Sequence, residues 1–339
     1  MQRKGLFITI IGLVVLVAFC VMTDETFAQQ KQKVRIGFLV SDQLHQYFPP
    51  IGMDKGYFAE EGIEVVPLQY AAAGILMQHF GANEMDIGIV GVSGAMIARA
   101  AGTDVIIIGS QNHGGSSLVV DPSIKKFEDL KGLPVGNPGI GSNHHTLLTL
   151  LEEKYKTPVK KETIKPTDMP IFAKNKEVKG IICYEPHPTR VMKMAGFKRL
   201  FTSDQILPDQ QCCVLVTSSK YIKQNRDAIY KVIKVSARAT KYIRDHKEAA
   251  LKIIAKYSGV EEDVLQEAYG NMIYPWPLYV NGVTSKVLLK GIMDAKKIEV
   301  DAIKPNMDAW WNAMYDASFE KKLVSDGYVA KLEKEGVKR

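Results

Sequence analysis

The sequence predicts an α/β protein of two lobes with a ligand cleft between them, and three observations carry that expectation. Short apolar, β-rich runs alternate with helical patterns from residue 33 onward. Two glycines and two serines in a row, Gly114 to Ser117, interrupt this series, and a second strand-helix series follows. Beyond residue 217 the chain becomes mostly helical. Strands alternating with helices in short units imply parallel sheets, and open α/β folds bind ligands in clefts at the carboxyl ends of their strands.

In the first series "VRIGFLV" reads as a buried strand and "HQYFPPIGMDKGYFAEEG" as a helix with its proline pair near the first turn. "IEVVPLQY" is the next strand and "AGILMQHFGANE" the next helix, followed by "MDIGIVG", "SGAMIARAAG" and "DVIIIGS". "NHGGSSLVVD" reads as a crossover or hinge. The second series runs from "LPVGNPG" as strand and turn to "SNHHTLLTLLEEKY" as helix, then "GIICYEP" and "QCCVLVTS" as strands. The stretch from Arg226 to Gly259 spaces its apolar residues at three and four, as a core-facing helix does. The expected division is therefore 32–114 with 216–339 as one lobe, completed by the C-terminal helices, and 115–215 as the other.

The first 28 residues are set apart. "MQRK" is cationic, "GLFITIIGLVVLVAFCVM" is apolar and Thr26-Phe27-Ala28 suits cleavage after a small residue, so residues 1–28 are expected to be a signal peptide. An uncleaved anchor, or lipidation at Cys20 despite the bulky Phe19, is the alternative; each of the three places the protein outside the cytoplasm. Loss of 1–28 removes Arg3 and Lys4 together with Asp24 and Glu25, so the formal charge of +7 belongs to the remaining chain. Those charges are scattered, without basic blocks or basic-aromatic interleaving, which argues against nucleic acid as a partner. Three cysteines remain, Cys183, Cys212 and Cys213. One disulfide from Cys183 to either neighbour, or three buried thiols, both fit the spacing.

Four segments together resemble the periplasmic substrate-binding proteins of ABC importers, in the nitrate/sulfonate/taurine-type (NMT1/THI5-like) branch. They are "GYFAEEGIEV", "NEMDIGIVGVSGAMIARAAGTDVIIIGS", "FEDLKGLPVGNPGIGSNHHTLLTLLEEKY" and "GIICYEPHPTRVMKMAG". The likeness spans most of residues 33 to 245. It implies a type II periplasmic-binding-protein fold that closes on a small molecule and delivers it to a membrane permease, as a monomer without a cofactor. One departure is Tyr184 before Glu185, where the branch commonly carries a tryptophan.

The resemblance directs the turns after the strands at the cleft. Ser41, Asp42 and His45 follow the first strand; Gly91, Val92 and Ser93 the third; Ser110, Gln111 and His113 the fourth. Gly141, Ser142, Asn143 and His144 open the helix of the second lobe, and Tyr184, Glu185 and His187 end the "GIICYEPH" strand. A helix start offers free N–H groups and the positive end of a dipole, so it binds anions without a cationic side chain. Ser142 or Asn143 is the expected N-cap. "GNPGIGS" has the glycine spacing of a phosphate loop at Gly136 and Gly141, but Ser142 stands where its lysine would be.

"GVSGA" has the strand-turn-helix context of a nucleophile elbow, with Ala95 in place of the last glycine. The histidine that should come late in the chain, His246, lies in the charged stretch "RDHKE", so Ser93 is expected to bond a ligand and no enzyme is expected. The chain holds seven histidines, and five of them, His45, His113, His144, His145 and His187, fall in segments read as loops near the cleft. A small anion such as an alkanesulfonate, taurine or nitrate is the expected solute. The alternative is a metal, a metal chelate or a pyrimidine-like thiamine precursor held by a histidine-rich cleft, with Tyr184, Tyr274 or Trp276 as stacking surfaces. A hydrolase or precursor synthase on the same scaffold ranks below both. Adjacent helical residues point about 100° apart, so His144 and His145 do not share a face, and His144 is the one expected to reach the solute.

Overall fold

A computed structural model of the chain describes residues 31–40, 42, 44–295, 298, 303 and 305–337; the expected leader and Ser41 lie outside the described residues. The first series comprises β1 (Gln32–Leu39), α1 (Phe48–Asp54), α2 (Tyr57–Glu60), β2 (Ile63–Tyr70), α3 (Ala73–Gly81), β3 (Ile87–Gly91), α4 (Val92–Ala100) and β4 (Ile106–Gly114). One helix was expected over 45–62 and two form. Gly56, in the left-handed region at φ 71, separates α1 from α2.

The second series comprises β5 (Ser116–Val120), β6 (Pro134–Asn137), α5 (Asn143–Tyr155), β7 (Lys160–Thr163), α6 (Met169–Lys174), β8 (Gly180–Tyr184), α7 (His187–Ala195), β9 (Lys198–Thr202) and α8 (Ser203–Ile206). The chain then returns through β10 (Gln211–Thr217). It ends in α9 (Ser219–Asp245), α10 (Lys247–Ser258), α11 (Glu262–Tyr269), β11 (Met272–Ile273), α12 (Gly282–Asp294), α13 (Met307–Met314), α14 (Ser318–Ser325) and α15 (Tyr328–Glu335). Among the described residues no helix is long and apolar enough to cross a membrane.

Two sheets result, ordered β11-β4-β10-β3-β1-β2 and β7-β6-β8-β5-β9. Both are mixed where parallel sheets were expected. β10 runs antiparallel to β3 and β4, and β5 antiparallel to β8 and β9. The chain leaves the first lobe directly from β4 into β5 and returns from β9 to β10 with only the four-residue α8 between them, so neither passage supplies the long helical crossover that a parallel neighbour needs. The expected boundary at 215/216 is corrected by the same fact: β10 lies inside the first sheet, so the return crossing precedes Gln211.

Apolar clusters cover both faces of each sheet. On β3, Ile87 and Ile89 face the cluster containing Ile229, Val232 and Ile233 of α9, while Val90 faces the one containing Leu288, Leu289 and Ile292 of α12. In the second sheet Leu118 and Ile182 pack toward Leu147, Leu148 and Leu151 of α5, whereas Val119 and Ile181 pack toward Val191 of α7. This is the period-two alternation of a sheet buried on both sides.

Candidate functional site

The outgoing crossing is the Gly114-Gly115 pair, with φ of 58 and 75. A Cβ on Gly115 would stand 2.5 Å from His45 Cε1, so only glycine lets the crossing strand pass the loop after β1. Beside this crossing a cavity of about 810 Å³ opens between the lobes. Of the residues expected at a ligand site, Asp42, Gly91, Ser93, Gly141, Ser142, Asn143, His144 and Tyr184 line it. Ala71 to Gly74, Met77, Ile97, Ala98 and Ile140 add an apolar wall, and Cys212 and Cys213 part of the floor.

Two helix starts meet here from opposite lobes. α5 is capped by Ser142, whose Oγ accepts from the His145 N–H at 3.2 Å, which decides between the two expected caps. The same Oγ donates to the Gly139 carbonyl at 2.8 Å, closing the turn that Gly139 and Gly141 form at φ of 108 and 92. α4 begins after Gly91 with no side-chain cap, and the N–H of Ser93 donates across the cleft to Asn143 Oδ1 at 3.3 Å. Ser93 Oγ and Asp42 Oδ1 are buried without a hydrogen-bond partner. Among the described residues no lysine or arginine lines the cavity.

Behind the floor, Tyr184 stands among three imidazoles, with ring centroids 5.8 Å from His45, 5.6 Å from His144 and 5.0 Å from His187. His144 lines the cavity, and its Nε2 lies 2.9 Å from Ser116 Oγ. Burial, reinforced by the charge on His45, pushes His144 down to about 3. Burial likewise takes His187 to about 3. Burial would also lower His45, but the Asp42 carboxylate and Cys212 outweigh it and push His45 up to about 9. Burial pushes Asp42 up to about 7 against the pull of His45. The three remaining cysteines are free buried thiols.

Several expected residues are used elsewhere. β4 continues to Gly114, so Ser110, Gln111 and His113 sit in a strand and not in a loop, and none lines the cavity. His113 is consumed by Asp209 at 2.6 Å and by the Tyr279 carbonyl at 3.1 Å. Glu185 is fully buried and turned away from the cavity. Its Oε1 accepts from Arg199 at 3.0 Å and Asn271 at 2.6 Å, and its Oε2 from the Thr189 N–H at 3.2 Å. Val92, His45 and His187 lie beneath the lining. Tyr274 is a core residue donating to the Leu44 carbonyl, and Trp276 donates to Glu333. The residues that sequence reasoning missed are the apolar wall and the paired thiols. "YAAAG" before α3 was the one signal for the wall, a run of small residues that keeps space open.

A model of the NMT1-like family matches residues 28–258. No curated protein sequence gives a significant match. Among solved structures, the ligand binding component of an ABC-type import system from Staphylococcus aureus, with zinc bound, is similar at a TM-score of 0.73 and 17% identity, over 86% of this chain and 98% of that one. The periplasmic aliphatic sulphonate binding protein SsuA from Escherichia coli matches at 0.66 and 18%, over 81% and 88%. The periplasmic nitrate-binding protein NrtA from Synechocystis PCC 6803 matches at 0.71 and 12%, over 91% of each chain. At such identities the likeness establishes a periplasmic-binding-protein fold of two lobes.

Proposed function

Because the chain belongs to the NMT1-like family, we propose that it captures a small organic anion between its lobes and hands it to the permease of an ABC importer on the extracytoplasmic side. The observation that carries this reading is the meeting of two helix starts, α4 and α5, from opposite lobes at one cavity that has no cationic side chain among its described lining residues. Backbone N–H groups at such ends hold an anion through oriented dipoles, in place of its water. Asn143 Oδ1 already accepts from the Ser93 N–H, which is the place a solute oxygen would take.

The remaining wall decides the class of anion. Met77, Ile97, Ala98 and Ile140 give the cavity an apolar side, and nitrate would leave most of its roughly 810 Å³ unfilled. A sulfonate carrying an alkyl chain satisfies both surfaces. Taurine adds an ammonium that Asp42 can meet at the floor. The reading is of binding without turnover, and it rests in part on Ser93 Oγ having no partner to activate it.

The test is thermal unfolding of the full chain against alkanesulfonates, taurine, nitrate and pyrimidines. A solute that binds only the folded state adds about 2.7 kcal/mol at a hundred times its Kd. Alkanesulfonates should raise Tm with concentration. A shift with pyrimidines alone, or consumption of any solute, would overturn the reading.

A further inference from the structure

Neighbouring residues of a strand point to opposite faces of the sheet. β10 obeys this from Cys213 onward: Cys213 and Leu215 face the α9 side, Val214 and Val216 the α12 side. Cys212 should then face α12, yet it lies on the α9 side with Cys213. The pairing of β10 with β4 shifts register on both sides of Cys213, between Gln211 and Cys213 and again between Cys213 and Val214. A bulge of this kind re-aims one side chain. Here it brings two adjacent thiols to within 3.9 Å of each other.

The thiols converge on two residues of the loop after β1. Cys212 Sγ is 3.4 Å from His45 Nδ1, and Cys213 Sγ is 4.0 Å from Asp42 Oδ2. The donor atoms of His45, Cys212 and Cys213 all lie within 4.8 Å of one another. Four ligands around zinc at ordinary bond lengths stand about 3.8 Å apart for two sulfurs, and about 3.5 Å for sulfur with nitrogen or oxygen. We propose that His45, Cys212 and Cys213 form a three-residue site for a thiophilic divalent metal ion of the zinc class at the floor of the cleft, whose fourth, tetrahedral position Asp42, outside that triad and 4.0 Å from Cys213, reaches by turning its side chain.

The surroundings suit such a site. Gln46 Nε2 donates to Asp42 Oδ2 at 3.1 Å, which orients that carboxylate from outside, and the Asn112 amide stands 3.0 Å from His45 Nδ1. On binding, the metal takes over the Nδ1 contact from Asn112. Asp42, Cys212 and Cys213 also line the cavity, which gives the ion a path in from solvent. Two sulfurs and an imidazole nitrogen favour zinc over magnesium or calcium. The site requires no solute; it shares Asp42 with the taurine reading and nothing with the helix starts proposed to hold the anion.

The test uses the reduced full chain, titrated with cobalt(II) and then zinc(II). One equivalent of cobalt should give the intense visible bands of a tetrahedral ion together with thiolate charge-transfer absorption, and zinc should abolish both. Cys212→Ser and Cys213→Ser should each weaken binding at least tenfold, whereas Cys183→Ser, buried outside the cluster, should leave it unchanged. Should the serine variants fail to fold, the charge-transfer band of the wild-type chain still reports whether sulfur ligates. Absence of stoichiometric binding by chain with all its thiols reduced overturns the proposal, as does binding without sulfur charge transfer. Because no solute is present, either failure leaves the alkanesulfonate result standing, and failure of that result leaves the metal titration intact.

Discussion

His45 Nδ1 lies 3.4 Å from the sulfur of Cys212, which follows it by 167 residues. The contact exists because β10 returns to the middle of the first sheet, two strands from β1, and brings its first residues beside the loop that leaves β1. The floor of the cleft is thus stitched from the first strand of the described chain and the strand by which it comes back from the second lobe.

Ser93→Ala separates a binding role from a packing role. The hydroxyl is buried and unpartnered in the solute-free chain, and burying such a group costs about 1–3 kcal/mol. The variant should therefore be as stable as the wild type or up to about 1 kcal/mol more stable, while its affinity for an alkanesulfonate drops several-fold. Chemical unfolding and calorimetric titration read the two effects. Unchanged affinity would remove Ser93 from the solute site.

His144 and His187 set a pH dependence. Both are pushed down to about 3 when folded, against 6.5 as free side chains. Between those values the unfolded chain binds more protons, so their contribution is intact above about 6.5 and is lost as pH falls toward 3. Each accounts for about 1.4 kcal/mol per pH unit across that window. His187→Gln should flatten the decline in stability between pH 6.5 and 5 by that slope. An unchanged slope in urea unfolding would show that His187 is protonated in the folded chain.

Glu185→Ala should destabilise the protein by about 3 kcal/mol, at the lower end for removing one partner of a buried ion pair. Arg199 keeps some solvent access, with its side chain 26% exposed, and can partly rehydrate. Asn271 and the Thr189 N–H lose an acceptor as well. Since the carboxylate faces away from the cavity, solute affinity measured below the melting transition should stay within about twofold. A large loss of affinity with unchanged stability would reverse this assignment.

Gly291→Ala should wedge the lobes. A Cβ on Gly291 of α12 would collide with Cγ2 of Thr146 on α5, across the interlobe contact. Overpacking of this kind costs about 1–3 kcal/mol, and here part of it is felt as impaired closure. The expected result is weaker solute binding that Thr146→Ala restores in the double variant. Failure of the second substitution to restore it would exclude the steric cause.

Much of the architecture was legible in the residues. Period-two and period-3.6 patterns located most elements, and Gly114-Gly115 marked the crossing between lobes. The turn "GIGSN" marked a capped helix start; Ser142 is the cap, and it and Asn143 line the cavity. His113 lies away from the cavity because the apolar signal of β4 ends at Gly109, while its strand is prolonged through buried polar residues that find partners on β10 and the C-terminal segment. Glu185 was read toward the cleft because its turn is; the Arg199 guanidinium on the next strand draws it the other way.

The order of elements, the lobe crossing and the capped turn at Ser142 were determined by the sequence alone, because they depend on side-chain periodicity and local backbone chemistry. Which strand sits between which, and therefore which distant side chains meet, was decided by tertiary structure. Insertion of β10 between β3 and β4 and the register shifts on either side of Cys213 turn two strand thiols, a histidine and an aspartate into neighbours. Contacts at that sequence separation are set by sheet order and register, which no local pattern encodes.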